Sequence, residues 1–256
     1  MSGGRFAWEV RDTLAMTRRN VVKKFRVPQV LVFSMVQPVI FVFMFRFVFG
    51  GAIKITGQDY VDYLMPGIFV QTATFGMIST AIGLADDKGS GLIERLKSLP
   101  MSRSAVLSGR VLADTLHTVL ITCIMLAIGY AVGFDSHTNP AMVALGVLVL
   151  VMFGFSMAWI FAVIGLAVTN GEAAQAAAFP LIAPLAFASN LFVDPQTMPG
   201  WLQVWARNQP VSATANAVRA CMLGGPTAGK VLICVAWTVG ITAVVAPVAV
   251  RRYRSV

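Results

Sequence analysis

Apolar runs long enough to cross a bilayer dominate this 256-residue sequence, and they leave it few folds to choose from. Ala141–Val168 holds 28 residues without one charged side chain; about 20 apolar residues suffice for a helix to cross the hydrocarbon core. Such runs recur and predict six membrane-spanning helices, at about Pro28–Phe49, Val61–Ala85, Ala105–Gly133, Ala141–Val168, Ala173–Val193 and Lys230–Val250. The predicted fold class is an all-α integral membrane protein. Residues 1–27 form an interfacial segment, 28–250 the six-span core and 251–256 a tail. Charged residues make up only 12% of the chain, against about 25% in soluble domains, which excludes a soluble fold.

The 20 Lys and Arg residues are sorted by side. Seven precede the first run. Five (Lys88, Arg95, Lys97, Arg103, Arg110) lie in or beside the link between the second and third, and three (Arg251, Arg252, Arg254) follow the last. The side holding both termini therefore carries fifteen, and the opposite side at most four: Lys54, Arg207, Arg219 and Lys230. Positive loops stay in the cytoplasm, so a multi-pass protein with both termini cytoplasmic is expected. The same distribution accounts for the net charge of +9 without a phosphate-binding face, and no nucleic-acid partner is predicted. Cys123, Cys221 and Cys234 are widely spaced and form no metal or disulfide framework. The basic N-terminus lacks a small-residue cleavage site, so the first span is expected to act as its own insertion signal.

Three segments outside the spans carry pattern. In residues 6–26, Val10, Leu14, Val21 and Phe25 form one stripe at helical period with basic residues on the other faces, which predicts an amphipathic helix in the headgroup zone. GSGLIERLKSLPMSRS, Gly89–Ser104, is a charged island. Leu92, Ile93, Leu96 and Leu99 share one face of a helix of roughly nine residues, Glu94, Arg95, Lys97 and Ser98 share the other, and Pro100 stops it. So short a helix is marginal alone; it either docks on a soluble partner or lies in the interface, and periodicity leaves both open. Between the last two spans, Trp201, Leu202, Val204 and Trp205 sit on a short helix between Pro199 and Pro210, and a second piece covers Ala213–Leu223. Both are too short to span, which predicts re-entrant or interfacial helices with Trp at the headgroups.

Catalytic patterns fail. GGPTAGKV at Gly224–Val231 matches the first seven positions of a phosphate-binding loop, but Val231 stands where the magnesium-ligating hydroxyl belongs. It reads as a Gly/Pro turn into the last span, so no ATP or other cofactor is expected on this chain. Ser156 lacks the GxSxG context, and His117 and His137 have no carboxylate cluster, so no catalytic or metal residues are assigned. Arg46 lies near a span end and can snorkel. Asp114 follows Arg110 by four residues, the spacing of a helical ion pair. Gln37, Gln71, Thr72, Thr74, Ser189 and Asn190 are uncharged polar residues within spans; they line a transport path or bond across helices.

GLIERLKSLPMSRSAVLSGRVLADTL resembles the signature of ABC-2-type transporter permeases through Gly91, Glu94, Arg95, Leu96, Pro100 and Arg103. The block from Pro184, with its SNxFV, MPGWL, NQP and AVRA elements, and FRFVFGGAI at Phe45–Ile53 resemble the daunorubicin-resistance (DrrB-like) branch. The resemblance covers essentially the whole chain. It implies the membrane-spanning permease subunit of an ATP-driven exporter of a hydrophobic or amphipathic substrate (drug, polyketide or lipid-like) in the bacterial cytoplasmic membrane. Two permease chains, alike or different, would bind two copies of a cytoplasmic ABC ATPase that carries the ATP and magnesium, with membrane lipid around them. Gly91, Leu92, Glu94, Arg95, Leu96, Pro100 and Arg103 would form the coupling element. Gln37, Gln71, Thr74, Ser189 and Asn190 would lie on the substrate path, and Pro199, Trp201, Trp205, Pro210 and Arg219 on an outer gate. The alternative is a stand-alone ion-coupled carrier, for which Asp114 is nearly the sole candidate.

Overall fold

The computed structural model describes residues 3–26, 28–49, 60–98 and 102–255. Among them are eleven α-helices and no strand. They are α1 (Gly3–Phe25), α2 (Pro28–Phe43, continued by a π-helical turn Met44–Phe49), α3 (Tyr60–Gly76), α4 (Ile78–Gly89) and α5 (Leu92–Lys97). Then come α6 (Arg103–Val132), α7 (Pro140–Ala167), α8 (Gly171–Phe187), α9 (Gly200–Asn208), α10 (Pro210–Leu223) and α11 (Thr227–Ser255).

Local chemistry sets the ends. The side chains of Ser102, Asn139 and Asn170 accept from the amides of Ala105, Met142 and Ala173, capping α6, α7 and α8. Gly133, at φ 98°, closes α6 in the left-handed region. Gly224 and Gly225, also at positive φ, form the turn between α10 and α11, so GGPTAGKV runs from that turn into a helix.

Four helices among the described residues are long and apolar enough to cross a membrane: Tyr60–Gly89, Ser104–Val132, Pro140–Ala167 and Thr227–Ser255. The other two expected spans are shorter. The first is an apolar stretch Val32–Val48 carrying Pro38 and ending in the π turn; the fifth is α8, 17 residues containing Pro180 and Pro184. α2 with its π turn still covers Pro28–Phe49 as expected, whereas α8 ends at Phe187, short of the expected Val193; proline removes an N–H and clashes with the preceding turn, which disfavours a longer helix. A 17-residue helix is about 26 Å long, below the ~30 Å hydrocarbon core. The expected tail at 251–256 is largely the last turn of α11, and its Tyr253 is buried.

Among the described residues the core is one large apolar cluster running from Met16 on α1 to Tyr253 on α11, with a small second cluster at Val149, Ala217 and Cys234. Small residues bring backbones together: a Cβ on Gly165 of α7 would strike the Ala81 backbone of α4, and one on Gly109 of α6 would strike Met16 and the Thr13 carbonyl of α1. Close approach through small residues is how helices associate where lipid is as apolar as leucine.

The N-terminal helix packs on the bundle through a side other than its apolar stripe. α1 runs along α6 in the same direction, from Asp12, whose carboxylate accepts from the Ser102 amide, to Lys24 beside Asp114. Its buried face is Met16, Thr17 and Asn20; Val10, Leu14 and Phe25 of the predicted stripe are exposed. In a membrane environment lipid can cover an apolar stripe, so polar and small side chains take the protein contact.

Candidate functional site

The end of the bundle that holds the charged island is built on the last turn of α4, where Asp86, Asp87 and Lys88 each reach a different neighbour. Asp86 Oδ1 accepts from the Gly171 amide at 2.9 Å, at the N-terminus of α8. Lys88 Nζ donates to the Leu166 and Val168 carbonyls at 3.2 and 3.3 Å, at the C-terminus of α7. Each charge complements the helix dipole it meets. Asp87 Oδ2 pairs with Arg110 Nη1 at 3.1 Å, and its Oδ1 with Lys23 Nζ at 3.4 Å.

A second carboxylate completes the network. Asp114, with 1% of its side chain exposed, lies 2.6 Å from Lys24 Nζ and 3.4 Å from Arg110 Nε, and accepts from Thr80 Oγ1 at 2.6 Å. The predicted Arg110–Asp114 pair is thus present but is one link of a larger set joining α1, α4 and α6. Two buried carboxylates face two largely buried cations, Lys24 and Arg110. A Cβ on Gly83 would collide with the Arg110 guanidinium, so glycine there makes its room.

α5 projects from this base. Gly91, at φ 68°, turns the chain between α4 and α5, a conformation that only glycine adopts freely. Ile93 and Leu96 are buried and Leu92 is half-buried, while Glu94 and Arg95 are exposed. Lys97 Nζ sits 5.7 Å from the centre of the buried Tyr253 ring, so the end of α11 packs beside α5. The two faces follow the predicted pattern. The helix is six residues long rather than about nine, ending at Lys97 with Ser98 as its cap; Leu99 and Pro100 lie outside the described residues, and Arg103 is the first residue of α6.

A cavity of about 260 Å³ opens above the network, beside the break between α3 and α4 at Met77. Lys24 of α1, Gln37 of α2, Gln71 and Thr72 of α3, Ser79 of α4, His117 and Thr122 of α6 and Gln175 of α8 are among its polar residues; Phe33, Phe75 and Ile121 are among its apolar ones. Of the five predicted path residues, this cavity brings together Gln37 and Gln71. Thr74 is buried and donates to the Val70 carbonyl. Ser189 donates to the Ala186 carbonyl and Asn190 Nδ2 to Asn216 Oδ1 at 2.7 Å, at the opposite end of the bundle. The sequence placed these residues on spans but gave no sign of which ones meet.

At that opposite end Arg219 of α10 is the central group. Buried, it donates through Nε to the Tyr63 carbonyl at 3.0 Å and through Nη2 to the Leu191 carbonyl at 2.8 Å, and its guanidinium lies 3.7 Å from the Tyr63 ring centre. Tyr63 Oη in turn donates to the Asn190 carbonyl at 2.9 Å. A Cβ on Gly67 would overlap the Leu191 carbonyl. Residues 189–193 are therefore clamped between α3 and α10. Pro199 caps α9 and Pro210 opens α10; Trp201 is 76% and Trp205 49% exposed. A buried carboxylate missed by sequence, Asp62, accepts from the Asp135 amide and holds the turn after α6.

Residues 11–223 match the ABC-2 type transporter family. The chain is 34% identical over 253 residues to the daunorubicin resistance ABC transporter permease protein DrrB1 of Streptomyces coeruleorubidus, covering 97% of this chain and 88% of that one. It is 28% identical over 248 residues to the probable doxorubicin resistance ABC transporter permease protein DrrC of Mycobacterium tuberculosis, covering 96% and 90%. A putative transport permease, ycf38, of Cyanophora paradoxa is 26% identical over 216 residues, covering 82% and 73%. A match of this extent, on an all-helical chain with four bilayer-length apolar helices, decides the assignment: the protein belongs to the ABC-2 type transporter family and is the membrane subunit of an ABC exporter.

Proposed function

We propose that this permease exports a hydrophobic or amphipathic substrate, drug-, polyketide- or lipid-like, using ATP and magnesium bound on two copies of a cytoplasmic ABC ATPase. Six membrane-crossing segments, α2 and the 17-residue α8 among them, would leave both termini and α5 in the cytoplasm. A second permease chain, identical or related, completes the path against exposed apolar residues of α2 such as Val32, Val36 and Ile40. Gly91, Leu92, Glu94, Arg95, Leu96, Pro100 and Arg103 form the coupling element. Pro199, Trp201, Trp205, Pro210 and Arg219 belong to the outer gate, with α9 anchored in headgroups through its two Trp side chains.

The observation that carries the reading is the mounting of α5. Ile93 and Leu96 root it, Glu94 and Arg95 face outward, and the helix before it is tied by charge to α1, α6, α7 and α8. A push on so short a helix is passed to α4 and from there to four others, which a flexible loop would absorb.

Glu94→Lys tests it, because the side chain is exposed and reversal leaves the buried face intact. The expected result is at least about tenfold weaker capture of the ATPase subunit in mild detergent, since a carboxylate at the proposed contact becomes an ammonium and any charge complementarity there is reversed. Undiminished capture together with normal transport contradicts the assignment of α5.

A further inference from the structure

We infer that the cavity between α2, α3–α4, α6 and α8 is a recognition site for the uncharged, hydrogen-bonding polar end of an amphipath. The inference rests on the export reading above and adds the class of substrate. Two buried polar atoms at this cavity lack a partner among the described residues: Gln71 Oε1, on a side chain only 3% exposed, and His117 Nε2. An orphaned buried acceptor costs about 1–3 kcal/mol, and a ligand hydroxyl or amide N–H at Gln71 removes that cost.

Charge decides the class. Among the described residues the lining contains no carboxylate and one cation, Lys24. Lys24 Nζ is held 2.6 Å from Asp114 Oδ1 and 3.4 Å from Ser79 Oγ, so its charge is matched from behind. A charged headgroup would lose its hydration here with no free counter-charge to meet it. A hydroxyl-, amide- or carbonyl-bearing group meets Gln37, Gln71, His117 and Gln175.

Size sets how much of the ligand enters. The volume of about 260 Å³ lies below the roughly 300–1,000 Å³ that encloses a drug-sized molecule. The polar end fits and the apolar remainder extends past Phe33, which is 72% exposed on α2.

The test uses the full chain in phosphatidylcholine nanodiscs with three dansyl-tagged probes of one chain length: a monoacylglycerol (neutral diol), a lysophosphatidate (anion) and an alkylamine (cation). The neutral probe is expected to bind at least about fivefold more tightly than either charged one, and Gln71→Leu to weaken it about five- to tenfold. Where Gln71→Leu fails to fold, His117→Phe gives the same loss, and Gln71→Glu moves the preference towards the alkylamine, which a packing role alone does not do. Equal binding of the three probes, tightest binding of a charged one, or an unaltered preference in Gln71→Glu overturns the inference. Those results leave ATPase capture by the wild-type chain untouched, so failure here is distinct from failure of the export reading.

Discussion

Asp114→Ala is expected to destabilise the helix bundle by about 3–5 kcal/mol, the loss seen when one partner of a buried ion pair is removed. The size follows from what stays behind. Arg110 keeps Asp87 at 3.1 Å, but Lys24 keeps only the Ser79 hydroxyl at 3.4 Å, with its own side chain 15% exposed. An ammonium is left nearly dry, and Thr80 loses its acceptor at 2.6 Å. Lys24→Met is the milder change, because Arg110 still neutralises the carboxylate. The double variant Lys24→Met/Asp114→Leu should recover most of the loss, since an apolar pair of similar volume is commonly as stable as a buried salt bridge. Thermal unfolding of the purified protein in nanodiscs measures all three. Wild-type stability in Asp114→Ala, or a double variant as unstable as that single one, refutes the network. The burial also changes what an Asp114→Asn experiment reports: lost transport would reflect a weakened fold and would not by itself indicate proton coupling.

Arg219→Leu should cost about 3 kcal/mol and free residues 189–193. Two charge-assisted hydrogen bonds disappear, and the Leu191 carbonyl loses the donor that faces it. The cation–π contact with Tyr63 goes with them. Arg219→Lys is expected to rescue little, because an ammonium does not present a planar fork to two carbonyls on different segments. Hydrogen exchange over 189–193 checks this: the expected outcome is faster exchange in both variants at temperatures where α6 and α7 stay protected. Native protection in Arg219→Lys would mean that charge alone suffices and the fork geometry is incidental.

What the sequence made readable was periodic or topological. Apolar runs located α6, α7 and α11, the Lys/Arg distribution grouped the termini with the 2–3 link, and Gly91 with the Leu92–Leu96 pattern gave α5 its two faces. Pro199 and Pro210 correctly bracketed a short helix. What escaped depends on contacts between distant segments. Arg110–Asp114 was visible at i,i+4, whereas Lys24 and Asp87 joined it only through the packing of α1 and α4 on α6. Arg219 was counted as a positive charge on the outer side and, through the resemblance, as an outer-gate residue, but nothing in AVRA marks a buried clamp on Tyr63 and Leu191. The periodicity of α1 marked its outward stripe but not the Met16, Thr17 and Asn20 side that packs: with lipid as solvent, apolar character does not distinguish a lipid-facing side from a packed one. Gln37 and Gln71 were legible as polar residues in spans, but their meeting at one cavity with His117 was not.

Energy source is the most direct test of the central claim. The permease and its ATPase are reconstituted into vesicles, pH and sodium gradients are collapsed with ionophores, and movement of the dansyl-tagged monoacylglycerol, a neutral probe that a pH gradient does not itself drive, is followed with and without ATP. Transport that requires ATP, persists without ion gradients and is lost in Glu94→Lys is the predicted result. Transport driven by an imposed proton gradient in the absence of ATP would contradict it and make the chain an ion-coupled carrier.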